Sequence, residues 1–235
     1  MDTIKARWQL VQDQVERAAQ RSSRNPDDIR VMAVSKTVPL PQIREAHEAG
    51  ITLFGENRVQ EAQQKFGTHR ENLPDGVELH LVGHLQTNKV RKALELFDMI
   101  HSVDNMNLAE TLSRIAVESN RRIPILIEVN TSGEESKFGV APNLVLEFTG
   151  QVASFPNLQI QGFMTVGAWL PDPEQVRPCF HRLKKIADEV KAQNIPNVNT
   201  EVLSMGMTND FEVAIEEGST LVRIGTAIFG VRPSQ

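Results

Sequence analysis

The chain contains no tyrosine, a single cysteine (Cys179) and no long uninterrupted apolar run. Without tyrosine, no phenol group of this chain can act as a general acid or base. One cysteine excludes a disulfide within the chain and fits a reducing compartment, so we expect a cytoplasmic protein. No apolar run is long enough for a membrane helix, and an acid at position 2 is unlike a signal peptide.

The chain also lacks an excess of positive charge. Lys and Arg number 25 against 30 Asp and Glu, which gives a net charge of −5. No general affinity for nucleic acid or for anionic membranes is therefore expected. No linker-like or low-complexity segment divides the 235 residues, and this length fits one α/β barrel or two small domains. We expect one domain over residues 1–235.

Helical and strand patterns alternate along the whole chain. An amphipathic helix comes first, with apolar residues from Ile4 to Ala18 at helical spacing. The patterns then predict strands at 31–34, 51–54, 77–82, 99–103, 123–129, 158–165, 201–203 and 221–224. Each strand but the last is followed by a predicted helix, at 42–49, 58–66, 87–97, 105–119, 144–154, 174–193 and 209–217. Strict alternation indicates a parallel sheet, and eight units predict a (β/α)₈ barrel with an extra N-terminal helix. The alternative is an open doubly wound sheet, but its Gly-x-Gly-x-x-Gly turn is missing.

Lys36 follows the first predicted strand, before the breaks at Pro39 and Pro41. In such barrels the active site lies at the carboxyl ends of the strands. Partial burial there would favour a neutral amine that attacks carbonyl carbons. The alternative is a lysine whose stem extends along the surface to water, and this stretch alone favours that alternative.

Arg223 lies inside the last predicted strand, where a permanently charged guanidinium needs an acceptor. Because a barrel closes, strand 8 pairs with strand 1, which brings Arg223 close to Lys36. The alternative is a structural ion pair with a barrel carboxylate, either Glu128 or Glu201.

Two predicted loops after strands 7 and 8 combine glycine with hydroxyl residues, at 204–208 and at Gly225 and Thr226. Barrels often bind phosphate in these loops, where glycine permits close approach and a helix start favours an anion. Ordinary helix capping by Ser and Thr is the alternative. A lysine amine, a phosphate site and an arginine in one barrel mouth suggest pyridoxal 5′-phosphate (PLP). Lys36 would form the Schiff base, and Arg223 would face the pyridine nitrogen.

Several other polar side chains carry weaker signals. His80 and His84 lie on a strand and its loop without carboxylate or cysteine partners, so we expect no metal site. We expect His84 to line the mouth and His80 to be a packing residue. Lys137 is either a solvated lysine or a second amine that moves PLP on or off Lys36.

The chain resembles the pyridoxal phosphate homeostasis protein family. The resemblance lies in Ala-Val-Ser-Lys-Thr at 33–37, Phe-Gly-Glu-Asn at 54–57, Val-Gln-Glu at 59–61, His-Leu-Val-Gly-His-Leu-Gln-Thr-Asn-Lys at 80–89, Ser-Lys-Phe-Gly at 136–139, Leu-Ser-Met-Gly-Met at 203–207 and Val-Arg-Ile-Gly-Thr-Ala-Ile-Phe-Gly at 222–230. It implies a barrel like the N-terminal domain of alanine racemase, with PLP as cofactor. The cofactor-binding residues that it implies are Lys36, Asn57, Ser204, Gly206, Arg223, Gly225 and Thr226. The family is regarded as regulatory in vitamin B6 and amino/keto-acid balance, without an established reaction; we expect a monomer that exchanges PLP with apoenzymes.

Two other functions remain open. One is a small PLP-dependent amino-acid racemase or lyase, and the other is a Schiff-base aldolase without a cofactor. Racemisation needs a base on each face of the α-carbon. In the alanine racemases that the chain resembles, a tyrosine from a second domain of the partner subunit is one of them. This chain ends soon after its eighth strand and has no tyrosine, so only His84 is a credible substitute, and we expect no enzymatic racemisation.

Overall fold

The computed structural model describes residues 3–134 and 136–230, and within them eight parallel strands form a closed barrel. The strands are β1 (Arg30–Val34), β2 (Leu53–Glu56), β3 (Glu78–Leu81), β4 (Met99–Val103), β5 (Ile123–Glu128), β6 (Leu158–Met164), β7 (Val198–Met207) and β8 (Leu221–Ile224). β8 pairs with β1 and aligns Arg223 with Met32, which closes the barrel. The predicted barrel is confirmed, and the doubly wound alternative is wrong.

Helices cover the outside of the barrel. They are α1 (Ile4–Arg21), α2 (Leu40–Glu48), α3 (Val59–Phe66), α4 (Val90–Leu96), α5 (Met106–Glu118), α6 (Val145–Ala153), α7 (Arg177–Ala192), α8 (Phe211–Glu216) and α9 (Thr226–Phe229). The predicted N-terminal helix is α1, with Thr3 as its N-cap. Asn105 caps α5 by accepting a hydrogen bond from the backbone N–H of Leu108 at 3.0 Å. No described helix combines the length and apolarity needed to cross a membrane.

The apolar core has two parts. The larger part lies between the strands and the helices and includes Phe54, Ile127 and Phe180. A smaller cluster of Met32, Leu53 and Leu221 fills part of the barrel interior. Alternating strand residues point inward, and several inward positions are polar, so the interior is partly a hydrogen-bonded core.

Strand β7 differs most from the sequence prediction. It was expected at 201–203 with a loop at 204–208, but it continues to Met207. Its register with β8 shifts between Ser204, paired with Leu221, and Met207, paired with Arg223. Three steps on β7 thus match two on β8, which is a β-bulge. The predicted loop is therefore wrong over 204–207.

Candidate functional site

A cavity of about 450 Å³ opens at the carboxyl ends of the strands. Its lining residues are Val34, Lys36, Asn57, Val82, Val166, Ala168, Trp169, Leu170, Met207, Thr208, Asn209, Asp210, Arg223, Gly225 and Thr226. A groove of about 580 Å³ lies at the opposite face, beside α1 and the starts of β1 and β2. Size alone does not locate chemistry, and the polar residues singled out in the sequence converge on the smaller cavity. We therefore take this mouth cavity as the candidate site.

Lys36 lies two residues beyond β1 and lines the mouth cavity while remaining exposed. This exposure agrees with the alternative of a lysine whose stem extends to water rather than with partial burial of the residue. The next residue, Thr37, has φ 61°, a backbone conformation that costs energy for a β-branched residue and needs support. The Thr37 backbone N–H donates to the Glu61 carboxylate. The turn that presents Lys36 to the cavity is thus fixed by a contact from α3.

A buried ion pair between Lys65 and Glu56 supports the same turn. The Lys65 amine donates to the Ser35 carbonyl at 2.7 Å and to Glu56 Oε1 at 2.9 Å, and it pairs with Glu61 at 2.6 Å. The Ser35 hydroxyl also donates to Glu56 Oε1, at 2.7 Å. Burial raises the pKa of Glu56, while Lys65 and Ser35 oppose the rise. These contacts hold the backbone on both sides of Lys36 and leave its side chain free to face the cavity.

Arg223 is almost fully buried yet reaches the cavity wall. Its Nη1 donates to the carbonyl and hydroxyl oxygens of Ser204, at 2.6 and 2.7 Å, and its Nη2 donates to the Thr165 carbonyl at 2.8 Å. Burial lowers its pKa to about 10, while Glu128 and Asp210 oppose the decrease. The group stays protonated at neutral pH.

No described carboxylate forms an ion pair with Arg223. The alternative of a structural pair with Glu128 or Glu201 is therefore wrong for the described residues. Its Nε also has no acceptor among them. A cationic side chain without a described ion pair therefore lines the cavity.

Five of the seven residues singled out for cofactor binding line the mouth cavity, and two do not. Asn57, Gly225 and Thr226 join Lys36 and Arg223 there. The hydroxyl of Ser204 lies inside the barrel, and Gly206 is buried at the β7 bulge with φ +94°.

A Cβ on Gly206 would come within 2.6 Å of Ala214 Cβ in α8. This glycine therefore permits helix–strand packing. The cavity receives Thr208 and Asn209 from this segment instead. Thr208 belongs to the predicted loop at 204–208, and in the structure it is the first residue after β7, which ends at Met207.

The far wall of the cavity comes from the segment after β6, which the sequence indicated only as a long loop. Trp169 in this wall is 81% exposed and Leu170 is partly exposed. The Lys137 amine donates to the Gly167 carbonyl at 3.0 Å and pairs with Glu134 at 2.9 Å. Lys137 thus braces this wall from outside and is not among the residues lining the cavity.

The two histidines considered in the sequence have different surroundings. His84 is exposed and stacks on Phe138 with 4.0 Å between ring centroids, outside the cavity lining. The expectation that it lines the mouth is therefore wrong. His80 is fully buried and hydrogen-bonded to Glu78 and His101, so it is more than a packing residue. No group of three or more His, Cys, Asp or Glu arranged for a metal occurs in residues 3–134 and 136–230.

Glu128 is the last residue of β5, at the carboxyl end of the strand, and is 7% exposed. Burial, reinforced by the nearby negative charge of Asp104, raises its pKa to about 7, and Arg223 partly offsets the rise. The sequence suggested this residue only as an ion-pair partner. Because its pKa is near neutrality, the Glu128 carboxyl gains or loses a proton at ordinary pH.

Comparison with known proteins finds barrels of one class. The family model for the alanine racemase N-terminal domain matches residues 8–233. An alanine racemase from Clostridium difficile 630 superposes with a TM-score of 0.76 at 12% identity, covering all of this chain and 58% of that one. At this identity the likeness shows the fold alone. The fold is thus the alanine racemase type of (β/α)₈ barrel.

Relatives with higher sequence identity identify the family within this fold class. The pyridoxal phosphate homeostasis protein of Aquifex aeolicus (strain VF5) is 42% identical over 227 residues, covering 96% of this chain and 97% of the relative. That of Escherichia coli (strain K12) is 38% identical, covering 99% and 98%. The structure of PipY from Synechococcus elongatus PCC7942 with PLP bound has a TM-score of 0.80 at 39% identity, covering 92% of this chain and 100% of that one. The chain belongs to the pyridoxal phosphate homeostasis protein family.

Proposed function

We propose that this protein binds PLP in the mouth cavity and takes part in the intracellular homeostasis of PLP and of amino and keto acids. The observation that carries the proposal is the convergence of the Lys36 amine and the buried Arg223 guanidinium on one cavity. The relatives named for pyridoxal phosphate homeostasis, and PipY with PLP bound, support it.

The cavity passes a test of fit for PLP. Its volume of about 450 Å³ lies within the usual range for small-ligand sites. Lys36 supplies the amine for a covalent link to the aldehyde. The free Nε of Arg223 supplies a donor for the pyridine nitrogen, and Asn57 supplies an amide beside the ring. PLP bound there supplies an electron sink for carbanions at an amino-acid α-carbon.

The phosphate group fits best at the start of α9. Gly225 and Thr226 line the cavity there, and their backbone N–H groups and the Thr226 hydroxyl are donors for an anion. Thr208 and Asn209 add donors from the segment after β7. Ser204 and Gly206 act indirectly in this proposal, by holding Arg223 and by shaping the bulge.

We further propose that the protein does not turn over substrate as an enzyme. A cationic Arg223 disfavours a protonated pyridine ring and so weakens the electron sink. The chain contains no tyrosine to act as a second base, and His84 lies outside the cavity lining. The alternative, a small PLP-dependent racemase or lyase, is favoured by one observation, the carboxyl group of Glu128 with a pKa of about 7 at the barrel mouth.

The remaining parts of the proposal concern context. A chain with one cysteine suits a reducing cytoplasm. We propose a single-domain monomer. We also propose that it delivers PLP to apoenzymes, because the mouth cavity is open to solvent and Lys36 is exposed. Size-exclusion chromatography with light scattering tests the monomer, and transfer of PLP to an added apoenzyme tests delivery.

The deciding experiment identifies the lysine that binds PLP. The purified protein is mixed with PLP, reduced with borohydride, digested and analysed by mass spectrometry. We expect the adduct on the Lys36 peptide, its loss in Lys36→Ala and its persistence in Lys137→Ala. A main adduct on Lys137 or Lys89 would refute the assignment. A protein that shows no absorbance band from bound PLP would favour the cofactor-free aldolase instead.

A further inference from the structure

A continuous chain of hydrogen bonds crosses the barrel interior from one face to the other. Glu78, which opens β3 on the N-terminal face, lies 2.6 Å from His80 Nε2. His80 Nδ1 lies 2.9 Å from His101 Nε2, and His101 Nδ1 lies 3.2 Å from the Ser204 hydroxyl. The same hydroxyl accepts from Arg223 Nη1 at 2.7 Å. Glu78 is partly exposed, so the chain joins solvent at the N-terminal face to the mouth cavity at the other.

One arrangement of the donors and acceptors makes every link a hydrogen bond. Burial, the largest cause, lowers the pKa of His101 well below its usual value, and the positive charge of Arg223 adds to the decrease, so His101 is neutral. In this arrangement Arg223 donates to the Ser204 oxygen, and the Ser204 hydroxyl donates to His101 Nδ1. His101 then carries its proton on Nε2 and donates to His80 Nδ1. His80 in turn donates from Nε2 to the Glu78 carboxylate, so every donor points toward Glu78.

Two backbone carbonyls and the Ser204 hydroxyl hold Arg223, and no described carboxylate pairs with it directly, so the hydroxyl is its one side-chain link to this hydrogen-bond chain. The nearest charged groups that face it are Glu128 from β5 and Asp210 ahead of α8, which act only at longer range. At the other end, Arg30 from β1 pairs with Glu78. The Glu78 carboxylate polarises each hydrogen bond in turn, which strengthens the acceptor that Ser204 offers to Arg223.

We propose that Ser204, His101 and His80 are positioning residues that hold the Arg223 guanidinium against the mouth cavity and couple it to Glu78 on the opposite face. The effect on PLP rests on the proposed function. The hydrogen-bond chain itself is independent of any ligand and is tested separately.

The first test uses nitrogen-15 NMR of the histidine rings in the PLP-free protein. We expect His101 as the neutral tautomer protonated on Nε2. Glu78→Gln keeps an acceptor but removes the charge, so we expect it to shift the His101 ring signals. Glu118→Gln is the matched control, because Glu118 is a carboxylate on the outer helix α5 that pairs with Arg91 and Arg114, away from the hydrogen-bond chain. A His101 protonated on Nδ1, or signals that respond equally to both variants, would overturn the proposal.

The second test measures PLP affinity and the absorbance spectrum of the bound cofactor. His101→Phe keeps a ring of similar size without nitrogens. We expect a rise in the Kd for PLP of about tenfold, the usual effect of one hydrogen bond to a charged group, and a shifted absorbance maximum. His101→Gln, which restores a donor and an acceptor, should recover part of both.

Several outcomes separate the two proposals. A folded His101→Phe protein with wild-type affinity and spectrum would overturn the positioning role. If His101→Phe does not fold, Glu78→Gln at the partly exposed end gives the answer: a spectral shift larger than that of Glu118→Gln supports the role, and equal spectra overturn it. A wild-type protein that does not bind PLP would refute the proposed function, while the NMR test would still decide the hydrogen-bond chain.

Discussion

Replacing Glu128 with glutamine is expected to remove a pH dependence of folding stability. The Glu128 carboxyl is buried at the barrel mouth near Asp104, and its pKa is raised to about 7 from an ordinary value of 4.5. Between these two values the unfolded chain releases a proton that the folded protein keeps. The free energy of unfolding therefore falls as pH rises through this window and levels off above about pH 7.

The size of the effect follows from the same two values. At about 1.36 kcal/mol for each pH unit, the difference between 4.5 and about 7 corresponds to roughly 3 kcal/mol. This figure already includes the support that Arg223 and the ionised carboxylate give each other, because Arg223 is one of the causes that set the pKa of Glu128. At pH 5 the folded carboxyl is still neutral and the unfolded one has begun to ionise, so Glu128→Gln should lie within about 1 kcal/mol of the wild type. At pH 8 the variant should be the more stable protein.

Urea unfolding at pH 5, 6, 7 and 8 measures this difference. Subtracting the wild-type curve from that of the variant cancels the contributions of Glu56 and Asp210, whose pKa values are also raised by burial. Glu118→Gln is the control, because Arg91 and Arg114 lower the pKa of Glu118 and it stays ionised throughout the window. A Glu128→Gln protein whose stability parallels the wild type from pH 5 to 8 would refute the reasoning.

Three further predictions concern the cavity and its supports. Arg223→Gln should weaken PLP binding and shift the cofactor absorbance while circular dichroism still reports a folded barrel; unchanged affinity and spectrum would make Arg223 purely structural. Gly206→Ala should lower the free energy of unfolding by about 1–3 kcal/mol, because the new Cβ meets Ala214 at 2.6 Å; an unchanged urea midpoint would contradict this. Chiral chromatography should find no conversion of L- to D-alanine or serine near 1 s⁻¹, an ordinary enzymatic rate; turnover at that rate, lost in His84→Ala, would favour a racemase.

The barrel could be predicted from the sequence because its signals are local and repeated. Each buried strand appears as a short apolar run, and each helix has its own apolar spacing. The placement of Lys36 just beyond β1 follows from the same signals, since Pro39 and Pro41 mark the end of the strand. The closure that pairs β8 with β1 follows from the count of eight units.

The barrel interior could not be predicted in the same way. His80 and His101 are 21 residues apart, on strands β3 and β4, and nothing local marks them as hydrogen-bond partners. An isolated polar residue in a strand is compatible with packing, with the mouth or with a buried network. Only the register of neighbouring strands decides between these, and register depends on long-range pairing.

The bulge in β7 explains why the same sequence stretch was misread as a loop. Ser204 and Gly206 have the composition of a phosphate loop, but inside a closed barrel a polar or small residue also suits an inward position. The extra residue between Ser204 and Met207 disrupts the regular ladder opposite Arg223. The Ser204 carbonyl accepts from both Thr165 N–H and Arg223, so the irregular backbone helps to satisfy a buried cation. Gly206 resembles a ligand-binding glycine in the sequence, but its role is to shape the strand that holds Arg223 at the cavity.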